Sequence, residues 1–92
     1  MTVYSEKLAS YVLGLTFDRF DESVIDRSKE LILDFLGSAV AGSTVSSSQM
    51  IIETISRWGG IEESTIVNNN KKVPSLNAAL ANGTMGHALE VD

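Results

Sequence analysis

Leu31-Ile32-Leu33-Asp34-Phe35-Leu36-Gly37-Ser38-Ala39-Val40-Ala41-Gly42 is the stretch on which the fold turns. Together with Val24 and Ile25 upstream, its apolar positions Leu31, Ile32, Phe35, Leu36, Ala39 and Val40 form a wide stripe on one helix. A stripe of that width predicts burial against two or more neighbours. Asp26, Arg27, Lys29, Glu30 and Asp34 occupy the remaining face, with Glu30 and Asp34 less easily explained as paired. Asp21 is the expected N-cap, and Glu22 falls in the first turn, where the helix dipole favours negative charge. The far end, Gly37 to Gly42, turns small, which lets a second helix backbone approach. Gly42 suits the left-handed position just past a helix end.

Helical periodicity continues on both sides. Upstream, Tyr4, Leu8, Tyr11, Val12 and Leu15 share one face, with Thr2 as the expected N-cap and Gly14 as the expected stop. The link between the first two helices carries Phe17 and Phe20, expected to pin it to the core. Downstream, Ser46 with Gln49 matches a capping box that starts a third helix. Met50, Ile51, Ile52, Ile55 and Trp58 supply that helix's apolar face, with Trp58 expected in the core, and Gly59-Gly60 stops it.

The period then changes. Ser64-Thr65-Ile66-Val67 is β-rich, Asn68-Asn69-Asn70 is a turn, and Lys71-Lys72-Val73 returns as a short strand with its lysines in solvent. Pro74-Ser75 breaks the chain and caps a last helix from about Leu76, whose run of small side chains suits close packing. The expected fold class is mainly α, a helical domain with one short β-hairpin near residues 64–73.

Composition narrows the function. Ninety-two residues make at most one small domain. The net charge of −5 argues against nucleic acid or an anionic membrane as a partner, since both need a basic footprint. With no cysteine, thiolate catalysis, disulfides and Cys-based zinc sites are excluded. The N-terminus lacks the pattern of a signal peptide, and no apolar run approaches the roughly 18 residues of a membrane span. A cytoplasmic chain is the expectation.

Catalytic-type side chains gather at one place. The single histidine, His87, and two of the twelve carboxylates, Glu90 and Asp92, fall in the last six residues. If the last helix continues through Val91, His87 and Glu90 share a face. If the chain becomes extended after Leu89, Glu90 and Asp92 point to the same side. Either arrangement can gather an acid/base group with a carboxylate, as proton abstraction beside a carbonyl requires. The competing reading has His87 bonded to a backbone carbonyl and both acids solvated. One nitrogen and two oxygens do not close a zinc site, and no metal is expected. There is no Gly-x-Ser-x-Gly elbow and no phosphate loop.

Three segments, in order, resemble the N-terminal part of the MmgE/PrpD family, which includes dehydratases, decarboxylases and an epimerase of small carboxylates. Leu31 to Gly42 looks like the family's long helix, "LLD-x-LG-x-AL-AG". Glu63 to Val67 with Lys72-Val73 resembles its short hairpin. Asn77 to Asp92 resembles "AA-x-x-NG-x-x-x-HAL-D-x-DD". The resemblance implies that residues 1–92 are the N-terminal portion of an incomplete helical domain, in a homodimeric enzyme that acts on small di- and tricarboxylates without a required cofactor. It places Glu90 at the first acid of the motif, as a catalytic and substrate-binding residue where the family has aspartate. Asp92 matches the next acid and His87 the motif histidine, both as substrate-binding candidates.

A tricarboxylate carries about three charges and needs several converging cationic donors. Only Lys71 and Lys72 are adjacent among the seven basic residues, and none neighbours the C-terminal cluster in sequence. The expectation is therefore the front part of a longer lyase or isomerase, inactive alone. A non-catalytic helical interaction or dimerisation module is the alternative, motivated by the wide apolar stripes.

Overall fold

A computed structural model describes residues 3–89. Helix α1 (Val3–Leu13) is followed by a single 3-10 turn (Phe17–Arg19), then α2 (Glu22–Gly42) and α3 (Ser46–Trp58). Strands β1 (Ser64–Thr65) and β2 (Lys72–Val73) form an antiparallel hairpin with Ser64 opposite Val73 and Thr65 opposite Lys72. Helix α4 (Ser75–His87) closes the order. The protein is mainly α with one short hairpin, as the residue patterns predict.

Helix α4 is the hub. It packs against α2, α3 and both strands, while α3 leaves α2 at a bend of 91°. The core at this junction comprises Ala39, Ile52, Ile55, Ile66, Val73, Ala78, Ala81 and Met85, with Ile51 and Val67 half-buried beside it. Where α2 and α4 come close, small residues such as Ala39, Ala78 and Ala81 supply the core. A Cβ built on Gly42 would lie 2.0 Å from the Met85 carbonyl oxygen, and one on Gly86 would lie 2.4 Å from Cε1 of the Phe35 ring. Each glycine thus leaves the space its neighbour occupies.

The reason for glycine at 42 differs from the expected one. Gly42 is the last helical residue and has no positive φ, so its role is the close approach of α4 rather than a left-handed cap. The left-handed positions lie at the end of α3, where Gly59 has φ 69° and Gly60 φ 116°. A Cβ on Gly60 would also meet Cγ of Pro74 at 2.6 Å. These two glycines end α3 and turn the chain toward the hairpin, whose turn places Asn68 at φ 57°.

Several local expectations are corrected. Asp21 stands at the N-cap of α2, but its side chain makes no capping hydrogen bond. The Ser46/Gln49 capping box does not form: Val45 is the N-cap of α3, and Gln49 Nε2 instead donates to the Ser43 carbonyl at 2.6 Å. Pro74, not Ser75, precedes α4 as its N-cap. The backbone N–H of Ser75 finds its acceptor in Glu63 Oε2 at 3.0 Å, so a carboxylate from the preceding loop sits at the helix N-terminus. Glu30 is paired, with Arg27 at 3.1 Å on the exposed face of α2. Thr2, the expected N-cap of α1, lies outside the described residues.

The largest correction concerns what the apolar stripes touch. No residue of α1 is buried. Phe17 is 73% exposed and Trp58 64% exposed, so neither joins the core, and Phe20 is also exposed. On α2 only Ala39 and Gly42 are buried, and Val24, Leu31, Ile32, Phe35, Leu36 and Val40 remain accessible. The expected burial of the wide stripe against two or more neighbours is met only at its C-terminal end, by α4.

The accessible surface makes this quantitative. The chain exposes 7117 Å² at 9.9 kDa. Surface-to-mass scaling gives about 5,200 Å² for a compact monomer of that size, an excess of about 1,900 Å². The radius of gyration is 16.8 Å, against about 12 Å for a compact domain of this length. The α3–hairpin–α4 junction is packed; α1 and the outer part of α2 extend from it.

Candidate functional site

His87 owes its position to its two predecessors. Met85 is completely buried and Gly86 seats the Phe35 ring, so the last turn of α4 is fixed against α2 just before the histidine. Ala88 then closes the helix with its N–H on the Met85 carbonyl at 3.3 Å. At the other edge, Asn82 ties α4 to the hairpin. Its Nδ2 donates to the Thr65 carbonyl at 3.1 Å, and its Oδ1 accepts from the Val67 N–H at 2.8 Å. The amide thus serves a backbone acceptor at the last residue of β1 and a backbone donor two residues beyond it, where the two-residue ladder has ended.

Between these restraints α4 presents an open groove of about 590 Å³ lined by Ser47, Ala79, Leu80, Gly83, Thr84, His87 and Ala88. Ala79, Gly83 and His87 follow one another at four-residue spacing, so a methyl group and a bare glycine lead to the imidazole. Ser47 comes from the first turn of α3, forty residues earlier. The Thr84 hydroxyl donates to the Leu80 carbonyl at 2.8 Å, leaving oxygen lone pairs for a second partner.

Among the described residues, no lysine or arginine lines this groove. Arg57 and Lys71 line a separate concavity of about 460 Å³ with Gln49, Glu53 and Asn69. Among the described residues, no group of three or more His, Asp or Glu side chains is arranged to hold a metal ion. Also among the described residues, no single helix is long and apolar enough to cross a membrane.

Of the residues singled out from sequence, His87 is placed at the groove. Glu90 and Asp92 lie outside the described residues, as does the choice between a continued helix and an extended segment at Glu90. Helix α4 itself ends at His87. Sequence reasoning missed Ser47 and Thr84. Ser47 carries no local signal, because only the 91° bend between α2 and α3 brings it to α4. Asn82 was detectable in principle, as a polar amide in a helix whose other residues from Ala78 to Ala81 are apolar.

The class defined by this arrangement is a mainly helical domain whose last described helix offers a groove with a histidine at its end. The chain belongs to the MmgE/PrpD family: the model of the MmgE/PrpD N-terminal domain matches residues 6–92. It is also similar to human cis-aconitate decarboxylase, with 29% identity over 93 residues. That similarity covers 96% of this chain but only 18% of the length of the human protein. No solved structure matches it.

Proposed function

We propose that this chain supplies one wall of the active site of an enzyme acting on small di- or tricarboxylates. The reaction is proton transfer beside a carboxylate, coupled to loss of water, loss of carbon dioxide or inversion at carbon. The observation that carries the reading is the family match through residue 92, over a helix that ends with His87 at an open groove. The groove's apolar floor of Ala79, Leu80 and Gly83 suits the carbon skeleton of a small acid.

In this reading Glu90 is the catalytic acid/base group and binds substrate together with Asp92 and His87. No cofactor is needed for proton transfer of this kind. The groove lacks cations, whereas a polycarboxylate needs several, so the 92 residues alone are expected to be inactive. The remaining donors come from polypeptide beyond this segment. An acidic, cysteine-free composition fits a cytoplasmic enzyme.

The experiment is an assay of dehydration, decarboxylation and epimerisation on a panel of di- and tricarboxylates. It uses the 92-residue chain and a polypeptide extended to the length of its relatives. Turnover by the extended form alone is the expected result. Turnover by the short chain contradicts the incomplete-site reading, and none by either contradicts the proposed chemistry. The exposed stripes of α1 and α2 favour one second reading, a non-catalytic interaction module.

A further inference from the structure

Asn82 is followed by Gly83, the sole Asn-Gly pair in the sequence and the dipeptide most prone to lose its side-chain amide nitrogen. The backbone nitrogen of the second residue attacks the asparagine Cγ, and glycine places no Cβ in its way. A succinimide ring closes as the Cγ–Nδ2 bond breaks and ammonia leaves. Water then opens the ring, giving either aspartate or isoaspartate, whose main chain runs through Cβ and Cγ. No oxidant or reductant takes part.

The fold opposes both halves of the ring closure. Asn82 and Gly83 lie inside α4, where the helical pattern assigns the Gly83 N–H to the carbonyl four residues back. Ring closure has to rotate that peptide out of helical geometry. The side-chain amide is itself held at both ends, with Nδ2 donating to the Thr65 carbonyl and Oδ1 accepting from the Val67 N–H. Asn68, Asn69 and Asn70 lie at the hairpin turn, outside any helix, but each precedes a residue with a side chain.

We propose that Asn82 is a deamidation site masked by the fold, so that opening of α4 exposes the chain to an irreversible loss of its contact with the hairpin. Neither product keeps an N–H for the Thr65 carbonyl. Isoaspartate also lengthens the backbone between Ala81 and Met85, both completely buried, so the two no longer fit their places together. Because reaction is confined to the open form, its rate measures how often α4 leaves the hairpin. Gly83 supplies the control: a Cβ there would meet nothing within 4 Å, so Gly83→Ala removes the reactive pair, keeps the packing and favours the helix.

The test incubates the 92-residue chain at mildly alkaline pH, folded and in concentrated urea, and reads each asparagine by peptide mapping with mass spectrometry. In urea, Asn82 is expected to convert before Asn68, Asn69 and Asn70. Conversion at Asn82 is expected to be at least about 100-fold slower in the folded chain. Gly83→Ala slows it in urea by at least about 10-fold, with the circular dichroism of the folded chain unchanged. After removal of urea, converted chains are expected to melt below unconverted ones. Equal rates at Asn82 in the folded and unfolded chain overturn the proposal. So does earlier conversion in the Asn68–Asn70 turn, an undiminished rate in Gly83→Ala, or a converted chain that melts with the unconverted one. All these readouts are independent of carboxylate turnover.

Discussion

Gly42 and Met85 meet backbone to backbone: a Cβ on Gly42 would stand 2.0 Å from the Met85 carbonyl oxygen. The obstacle is main chain, so no side-chain rotation relieves it. Gly42→Ala must push α2 away from α4 and is expected to destabilise the fold by about 3 kcal/mol, at the upper end of overpacking costs. On a domain of this size, each kcal/mol lowers Tm by roughly 4–8 °C. A thermal melt within about 3 °C of the parent chain would contradict this account of the α2/α4 crossing.

Asn82 provides an independent check on how α4 meets the hairpin. Asn82→Ala leaves the Val67 N–H and the Thr65 carbonyl without their partner, at an expected cost of about 1–3 kcal/mol. Asn82→Asp keeps the acceptor for Val67 but turns a carboxylate oxygen toward the Thr65 carbonyl. It is therefore expected to be no better tolerated than alanine. Amide hydrogen exchange at Val67 should speed up in the alanine variant and stay slower in the aspartate one.

The end of α3 should tolerate little at Gly60. Gly60→Ala combines a φ of 116° with a Cβ 2.6 Å from Pro74 Cγ, and is expected to cost about 1–3 kcal/mol. At Gly59, with φ 69° and open space around it, the expected cost of alanine is smaller, about 1 kcal/mol. Comparing the two melts tests the ordering.

Glu63 reaches the N-terminus of α4 from the loop before β1. Glu63→Ala removes the acceptor for the Ser75 N–H and is expected to cost about 1 kcal/mol, with Glu63→Gln recovering part of it. Equal losses for both variants would show that the negative charge, rather than the hydrogen bond, sustains the contact.

Much of this architecture is legible in the sequence. The periodicity of Leu31 to Val40, the Gly59-Gly60 stop and the Asn68–Asn70 turn all specify their elements locally. The small residues from Ser38 to Gly42 announce the close crossing at Met85, although for steric room rather than for a left-handed cap.

What the pattern does not contain is the identity of the covering surface. An apolar stripe reports that a face suits burial, and says nothing of what lies opposite it. Phe17, Phe20 and Trp58 show the gap: each is a sound core candidate by type and spacing, and each stays exposed among the described residues. The capping box fails for a related reason. Gln49 is drawn to the Ser43 carbonyl at the α2–α3 bend, a long-range geometry that no local motif encodes. At the candidate site, His87 is legible as the sole histidine, whereas Ser47 becomes its neighbour only through the tertiary bend.

The proposed function turns on Glu90 as the acid/base group. The most direct measurement is kcat on the best di- or tricarboxylate for the extended polypeptide, with Glu90 intact and with Glu90→Gln. The account predicts measurable turnover that falls by about 10²–10⁴-fold in the variant, the range for loss of a positioned general acid or base. An extended enzyme that turns over its substrate equally well with Glu90→Gln would contradict it.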